Sequence, residues 1–227
     1  MDGTSTGATV VSQNQTGTTI ALEFEPYQSQ VVIFSKRKAL SAPTPLLIAS
    51  MLDISSNWQV TIGSNKPSAM NQLRSWSDDE ATKYFSGTAT YEKSINVTDA
   101  ILKNGQKVRL DFGEGTALPV QQLRNGMRTF LDPPIREAAV VYINDKRAGS
   151  VWCPPYSLDV TQFLDKGNNK IKIVVGNTAL NYMAGHKLPD YKLLNLRYGE
   201  RFQPQEMDKI QVLPSGITGK IQLIASK

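Results

Sequence analysis

The sequence predicts an all-β protein, an antiparallel β-sandwich, and three observations lead to this prediction. Short runs of β-branched and aromatic residues recur along the chain between turns, which draw on 16 glycines and 12 prolines. Residues 140–183 pass through a hairpin, an aromatic-proline corner, a helical turn and a strand, an order typical of antiparallel sandwiches. Residues 170–175 alternate charged with aliphatic side chains, which indicates a strand with one buried face.

The unit at residues 140–183 gives local reasons for each of its boundaries. Pro154 and Pro155 end the second strand of the hairpin, because proline cannot donate a ladder hydrogen bond. Either Asp159 or Thr161 is expected to cap the helical turn that follows, and Gly167 to close it.

The same alternation and turn signals place the remaining elements in chain order. Strands are predicted at residues 18–24, 30–34, 57–62, 84–95 and 107–113, and two more within residues 209–224. A short helix is predicted at residues 77–80, and long loops at residues 114–135 and 177–201.

Two regions of different composition divide the chain. Residues 1–40 are predicted to carry a two-stranded hairpin, and residues 41–227 the β-sandwich, with a Pro-rich linker at residues 41–45. A two-stranded hairpin is marginal in water, so it must pack on the sandwich or belong to a preceding domain.

Charge and sequence pattern exclude several classes of function. The net charge is +5 and the pI about 9.2, but the cationic residues are scattered, so no nucleic-acid partner is expected. The first residues lack the basic and apolar parts of a signal peptide, and no apolar run has membrane-spanning length. The sequence therefore predicts a soluble chain without a membrane partner.

The strand patterns also predict which aromatic residues lie in the core. Trp58, Tyr91 and Trp152 fall within strand patterns and are expected to pack inside the sandwich. Cys153, the one cysteine, excludes an intrachain disulfide, and its apolar neighbours predict a buried thiol.

Catalytic and metal-binding patterns are sparse. His186 is the one histidine, and no nucleophile-elbow sequence accompanies it, so a surface loop position is expected. Loop carboxylates and carbonyls of sandwiches can hold calcium, but no Asp-rich loop indicates such a site, and no cofactor is expected. A glycosidase would need two carboxyl groups at a set separation, which sequence spacing does not reveal. The nominal candidates for such a pair are Asp111, Glu114, Glu137, Asp159, Asp190, Glu200 and Glu206.

Aromatic side chains in irregular polar segments are the candidates for stacking on the apolar face of a sugar ring. Trp76, Tyr182 and Tyr191 lie in such segments, and His186 and Arg201 would add hydrogen bonds to hydroxyls or a uronate. These five residues are the predicted carbohydrate contacts.

A succession of short motifs resembles one known family of domains. The motifs are KYFSGTATY at residues 83–91, LDFG at 110–113, VYIN at 141–144, WCPPY at 152–156, DVT at 159–161 and GNN at 167–169. This succession resembles the galactose-binding-like jelly-roll of glycoside hydrolase family 2 sugar-binding domains. With LPSGITGKIQL at residues 213–223, it is most similar to the C-terminal region of α-L-rhamnosidase-like enzymes of glycoside hydrolase family 106.

The resemblance covers residues 18–224 and implies a role within a larger enzyme. Residues 21–26 and 31–34 resemble the closing strands of the preceding domain. In such enzymes the catalytic acids lie in a preceding barrel, so no catalytic residue is carried over to this chain. The resemblance implies a non-catalytic module that binds polysaccharide or oligosaccharide, or buttresses that barrel, in a secreted or periplasmic bacterial glycosidase.

Two alternatives stay open at this point. One is a free-standing glycosidase or lyase that uses loop carboxylates. The other is an interaction domain without affinity for sugar.

Overall fold

A computed structural model describes residues 5–22, 24, 29–35, 47–103, 105–119, 131–186, 191–199 and 210–227. Most of the regular structure in this part of the chain is β-strand. The strands are β1 (Thr9–Asn14), β2 (Gly17–Ala21), β3 (Ile48–Asp53), β4 (Ser56–Ile62), β5 (Ser68–Gln72), β6 (Thr88–Val97), β7 (Lys107–Asp111), β8 (Thr116–Ala117), β9 (Leu131–Asp132), β10 (Ile135–Arg136), β11 (Ala138–Ile143), β12 (Lys146–Val151), β13 (Ser157–Asp159), β14 (Gly167–Gly176), β15 (Gly216–Ile217) and β16 (Gln222–Ser226). The helices are α1 (Leu180–Gly185) and α2 (Tyr191–Tyr198), with 3₁₀ turns at Trp76–Asp78 and Thr161–Phe163.

Two antiparallel sheets form the sandwich. The larger sheet has six strands in the order β12-β11-β14-β6-β4-β5, and the smaller has four in the order β13-β7-β16-β3. Neighbouring strands within each sheet run antiparallel. The predicted all-β sandwich is confirmed.

The core lies between the two sheets and follows the alternation of the strands. In β14 the odd-numbered residues from 169 to 175 are buried, among them Ile171, Ile173 and Val175. Trp58 and Tyr91 are fully buried, with ring centroids 6.3 Å apart at 77°. Each large apolar side chain buried in this way contributes roughly 1.5–3 kcal/mol to folding. The prediction that these two aromatics lie in the core is confirmed.

A 3₁₀ turn forms at Thr161–Phe163, where a helical turn is predicted, and it connects β13 of the smaller sheet to β14 of the larger. Its caps differ from the prediction: Val160 is the N-cap, without a side-chain cap bond, and Leu164 rather than Gly167 is the C-cap. The backbone N–H of Thr161 donates to Asp159 Oδ1 at 3.0 Å, and its hydroxyl donates to the same oxygen at 2.6 Å. Thr161 Oγ1 also accepts from the N–H of Val108 in β7 at 2.8 Å. Asp159 and Thr161 therefore bond each other at the start of the turn without occupying its cap position, and the Thr161 side chain ties the turn to β7.

The N-terminal hairpin forms from strands other than the predicted pair. β1 pairs with β2, and residues 30–34 do not form a strand. Asn14 explains the difference, because its side-chain oxygen accepts from Thr16 N at 2.9 Å and Gly17 N at 3.0 Å and closes a short turn. Every residue of the two strands except Ile20 is exposed. The predicted linker at residues 41–45 lies outside the described residues.

Trp152 and Cys153 are exposed, contrary to the prediction that both lie inside the sandwich. The alternation of β12 gives the physical reason. Val151, its last residue, is buried, so Trp152 points the other way, and Pro154 then turns the chain out of the ladder.

Residues 177–201 contain helices where an extended loop was predicted. α1 and α2 form although neither has a clear apolar period along its sequence. The fixed point of α1 is instead polar: Asn181 is 2% exposed and is held by hydrogen bonds from the far end of the chain. Sequence periodicity gives no signal for a helix that is anchored in this way.

Candidate aromatic site at one edge of the larger sheet

The strands of the larger sheet end together at one edge. A single row of paired residues crosses five of its strands, just inside that edge. The row is Val151, Ala139, Val175, Ala89 and Ile62. Because paired residues lie side by side, the residues one step beyond this row share one edge of the sheet.

Four side chains define what we call the aromatic edge: Trp152, Tyr84, Tyr182 and His186. Trp152 follows β12 directly, Tyr84 lies in the loop before β6, and the other two lie in or next to α1, which follows β14. Three strand spacings separate β12 from β6, so the end of β12 and the start of β6 lie roughly 14 Å apart. This separation suits an extended ligand better than a single small molecule.

Trp152 is the most exposed aromatic side chain of the sandwich described here, at 70%. Tryptophan normally buries most of its ring in a core or an interface, because it carries a large apolar area. An indole held open at a strand end is therefore available to a ligand or a partner.

Tyr182 and His186 form a stacked pair. Their ring centroids lie 3.7 Å apart with an angle of 18° between the planes. His186 Nδ1 is 2.7 Å from the carbonyl oxygen of Tyr182, and the N–H of Tyr182 donates to Ser86 Oγ at 2.9 Å. The structure thus brings together two of the five predicted sugar contacts, with the tyrosine ring 53% exposed.

Tyr84 lies on the same surface, although the sequence pattern places it at the start of a predicted strand, residues 84–95, and not among the five predicted sugar contacts. A side chain at Gly185 would place its Cβ 2.2 Å from Tyr84 Cγ, so the end of α1 lies directly against this ring. Lys83 Nζ is 5.6 Å from the ring centroid, within cation–π range. Only the packing of α1 on the loop before β6 identifies Tyr84, since its motif alone does not.

A network of amide side chains holds the aromatic edge in place. Asn177 Oδ1 accepts from Gly87 N at 2.8 Å, while its Nδ2 donates to the Phe85 carbonyl and to Ser215 Oγ, both at 2.9 Å. Asn181 pairs with both backbone groups of Leu213 at 2.8 Å. These bonds join three separate loops, so the positions of Tyr84 and Tyr182 are coupled.

Trp76 is buried, which corrects the prediction of an exposed sugar contact. It is 1% exposed, and its indole N–H donates to the Tyr91 hydroxyl at 2.6 Å. Ser75 caps the 3₁₀ turn that begins at Trp76, and Phe85 lies edge-on to the indole at 5.9 Å. The polar segment around Trp76 covers the end of the sandwich, and the indole points beneath it into the core.

The other two predicted contacts stay predictions. Tyr191 begins α2 and is half-buried. Arg201 lies outside the described residues.

A shallow cleft of about 470 Å³ lies beside the aromatic edge, between the β4–β5 turn and the loop before Tyr84. It is lined by Ile62, Asn65, Lys66, Ser68, Asp79, Glu80, Ala81 and Thr82. Both carboxylates are engaged, Asp79 by Arg74 at 2.7 and 2.8 Å and Glu80 by Lys83 at 3.2 Å. The cleft offers amide and hydroxyl groups rather than a free acid pair.

The described part of the chain has neither a cluster of metal-ligand side chains nor a helix that could span a membrane. No group of three or more His, Cys, Asp or Glu side chains there is placed to hold a metal ion. None of the helices described combines the length and apolarity needed to cross a bilayer.

Comparisons with known proteins relate this fold to glycosidases. No family model matches the sequence. A protein of Formosa agariphila described as a putative beta-glucuronidase is 33% identical over 153 residues, which are 66% of this chain and 11% of that protein. The chain therefore spans about a tenth of the length of this curated relative.

Solved structures of glycosidases contain a domain with a similar fold. The rhamnosidase from Novosphingobium sp. PP1Y matches 84% of this chain with 16% of its own, at a TM-score of 0.58 and 24% identity. A beta-glucuronidase from an uncultured Clostridium sp. matches 81% of this chain with 30% of its own, at a TM-score of 0.51 and 17% identity. The chain therefore has the β-sandwich fold of a domain that occurs in rhamnosidase and β-glucuronidase structures, which confirms at the level of fold the resemblance carried by its motifs.

Proposed function

We propose that this chain is a non-catalytic β-sandwich module of a glycoside hydrolase, which binds carbohydrate or buttresses the catalytic domain. The observation that carries the sugar-binding part is the aromatic edge, with Trp152 exposed at the end of β12 and Tyr84 and Tyr182 exposed near the ends of β6 and β14, three and two strands away. The relationship to a protein described as a putative beta-glucuronidase supports the glycosidase context.

The chemistry of the aromatic edge suits sugar rings. One face of a pyranose presents C–H groups that pack on an aromatic plate, while its hydroxyls need hydrogen-bond partners around the rim. Trp152 supplies one flat aromatic surface. The stacked rings of Tyr182 and His186 supply a second, which also carries a phenol hydroxyl and imidazole nitrogens. Because these plates stand on different strand ends, we expect the ligand to be an oligosaccharide chain.

The buttressing part of the proposal is supported by the N-terminal segment. Val31, Ile33 and Phe34 are 70%, 78% and 81% exposed, and the hairpin before them is exposed as well. A contiguous run of exposed apolar side chains of this kind marks a surface that packs against a partner. We assign that partner to a preceding catalytic barrel, in line with the family resemblance.

Calorimetric titration against a panel of oligosaccharides tests the sugar-binding part. We expect at least one glycan to bind and Trp152→Ala to weaken it about tenfold or more, without changing stability because the side chain is exposed. Phe34→Ala is the control, an exposed aromatic of the N-terminal segment that is not part of the aromatic edge, and it should leave affinity unchanged. If no glycan binds, or if both variants bind like the parent chain, the aromatic edge has no such role.

A separate assay tests the non-catalytic part. Incubation of the chain alone with aryl-rhamnosides, aryl-glucuronides and pectic oligomers should release no product above the buffer control. Turnover that scales with protein concentration would instead support the free-standing enzyme.

A further inference from the structure

The outer face of the larger sheet carries a row of charged and aromatic side chains. The register places Arg147 opposite Tyr142, Tyr142 opposite Lys172, and Lys172 opposite Glu92. The neighbours of these residues along β11 and β14, such as Val141 and Ile173, are buried, so the row points away from the core. We call the surface formed by Arg147, Tyr142 and Lys172 the cationic face.

Side-chain contacts confirm that these three groups lie on one face. Lys172 Nζ is 4.6 Å from the centroid of the Tyr142 ring. Arg147 Nη2 donates to Ser150 Oγ at 2.8 Å, and Ser150 pairs with Val140 two residues before Tyr142. The tyrosine therefore lies between two cations.

The charges on this face are not balanced by carboxylates. Glu92 lies in the same row, but it pairs with Lys170 at 3.0 Å. Within the residues that the structure describes, neither Arg147 nor Lys172 has a carboxylate within ion-pair distance. Two positive charges thus remain uncompensated beside an aromatic ring.

The cationic face runs on to Trp152. Along β11 the outward residues after Tyr142 in the direction of the edge are Val140 and Ala138, and Trp152 stands beside Ala138 at the end of β12. Four residues separate the row of Tyr142 from that of Ala138, or roughly 13 Å. Val140 and Ser150 occupy the row between the two aromatic rings, and the Arg147 side chain reaches Ser150, so its guanidinium lies between Tyr142 and Trp152.

We infer that this face binds an anionic oligosaccharide, with Arg147 and Lys172 holding its acidic groups while Tyr142 and Trp152 pack against its rings. The inference rests on the proposed carbohydrate-binding function and names the class of sugar. Charge complementarity argues for this ligand: a guanidinium pairs with carboxylate or sulfate through two parallel hydrogen bonds, and the ammonium adds a point charge. The overall net charge of +5 favours approach of the same ligand.

The test compares sugars that differ in charge alone. Oligogalacturonide and its fully methyl-esterified form have the same rings, and a sulfated oligosaccharide of equal length distinguishes sulfate from carboxylate. In titrations at about 0.15 M ionic strength, we expect an acidic form to bind about tenfold more tightly than the esterified one. Arg147→Gln and Lys172→Gln should each remove most of that preference, and Tyr142→Leu should weaken binding of the acidic form.

Lys107→Gln is the matched control, because it removes the same charge from an exposed position on the smaller sheet. It should leave the preference intact. A single-stranded DNA oligonucleotide of equal charge should bind at least tenfold more weakly than the acidic sugar, and equal binding would show a general attraction for polyanions and overturn the inference.

The outcomes separate this inference from the function on which it rests. If the esterified sugar binds as well as the acidic one, and Trp152→Ala weakens both, the module binds carbohydrate but the cationic face does not select charge. If no sugar binds at all, the sugar-binding part of the proposed function fails together with the inference. Unchanged thermal midpoints for the four Gln and Leu variants establish that each change in affinity is local.

Discussion

The Tyr91 hydroxyl accepts the indole N–H of Trp76 at 2.6 Å, and both side chains are buried beneath the aromatic edge. The same oxygen accepts the backbone N–H of Ile217 in β15 at 3.3 Å. One phenol oxygen thus joins β6, the loop before it and the segment that leads into β16. Burial raises the pKa of Tyr91 above its ordinary value, although these two donors act in the opposite direction.

Tyr91→Phe should destabilise the sandwich while leaving its core volume almost unchanged. The variant leaves two buried donors, the Trp76 indole and the Ile217 amide, without their acceptor, at a cost of about 1–3 kcal/mol. Urea unfolding followed by fluorescence measures the difference. Tyr142→Phe is the control at a half-buried position, and an equal loss in both variants would contradict the role assigned to the buried hydroxyl.

Stability should fall at alkaline pH through Tyr91. Since the pKa of Tyr91 is raised in the folded state, the unfolded chain loses its phenol proton first as the pH rises past about 10. The free energy of unfolding should therefore decrease from that pH upward. The Tyr91→Phe variant has no phenol to ionise, so it should not show this part of the decrease. Urea midpoints for both proteins between about pH 8 and about pH 11 measure the effect; parallel curves would show that the phenol of Tyr91 titrates alike in both states.

Gly216→Ala should be more damaging than an alanine at another glycine of similar backbone conformation. Gly216 has a φ of +95°, and a Cβ there would lie 2.4 Å from Trp76 Nε1 and 2.5 Å from the Tyr91 hydroxyl. Backbone strain costs about 1–2 kcal/mol, and the steric overlap adds roughly 1–3 kcal/mol. Gly105, with a φ of +79° and no atom within 4 Å of such a Cβ, isolates the strain alone. Similar thermal midpoints for Gly216→Ala and Gly105→Ala would show that the segment yields to the added methyl group.

Asn181→Ala should loosen α1 without unfolding the sandwich. Both of its amide groups bond Leu213, and the side chain is 2% exposed, so its loss leaves both backbone groups of Leu213 without their partners and removes the bonds that hold α1 against residues 210–215. We expect faster amide exchange in α1 and a loss of about 1–3 kcal/mol in stability. Sugar affinity should fall as well, because Tyr182 and His186 depend on the position of α1. Asn168→Ala, an exposed asparagine in β14, provides the comparison, and unchanged exchange in α1 would contradict the anchoring role.

Regular alternation made the sandwich predictable from sequence. β4, β7 and β14 appear close to their predicted positions because one face of each is buried, which imposes a period of two on their side chains. The proline pair acts locally, so its signal can be read without knowledge of the fold, whereas the cap of the turn at Thr161–Phe163 falls on Val160 and not on the predicted Asp159 or Thr161.

The candidate site was predictable only in part. Whether a residue at a strand end is exposed depends on which face of the sheet it lies on, and on how the nearby loops fold. Tyr182 and His186 were found because they lie in a polar segment. Trp152 is predicted to lie in the core because it falls within a strand pattern, yet it lies one residue beyond the last buried position of β12. Trp76 shows the reverse error, since its polar neighbours belong to a loop that folds over it. Neither position could be decided without the register between β11 and β12 or the hydrogen bond to Tyr91.

β16 has a consequence for how the molecule acquires its structure. It lies between β7 and β3 in the smaller sheet, and its partners in β3 are roughly 170 residues earlier in the chain. Before β16 pairs with them, β3 and β7 are not connected by backbone hydrogen bonds, because β16 is the strand between them. Pairing between such distant segments makes folding slow, because the entropy of closing the loop is lost before any contact between the strands can offset it. The six-stranded sheet, built from nearer neighbours such as β11 and β12, is therefore expected to gain hydrogen-exchange protection first, with the four-stranded sheet completed in the last step of folding.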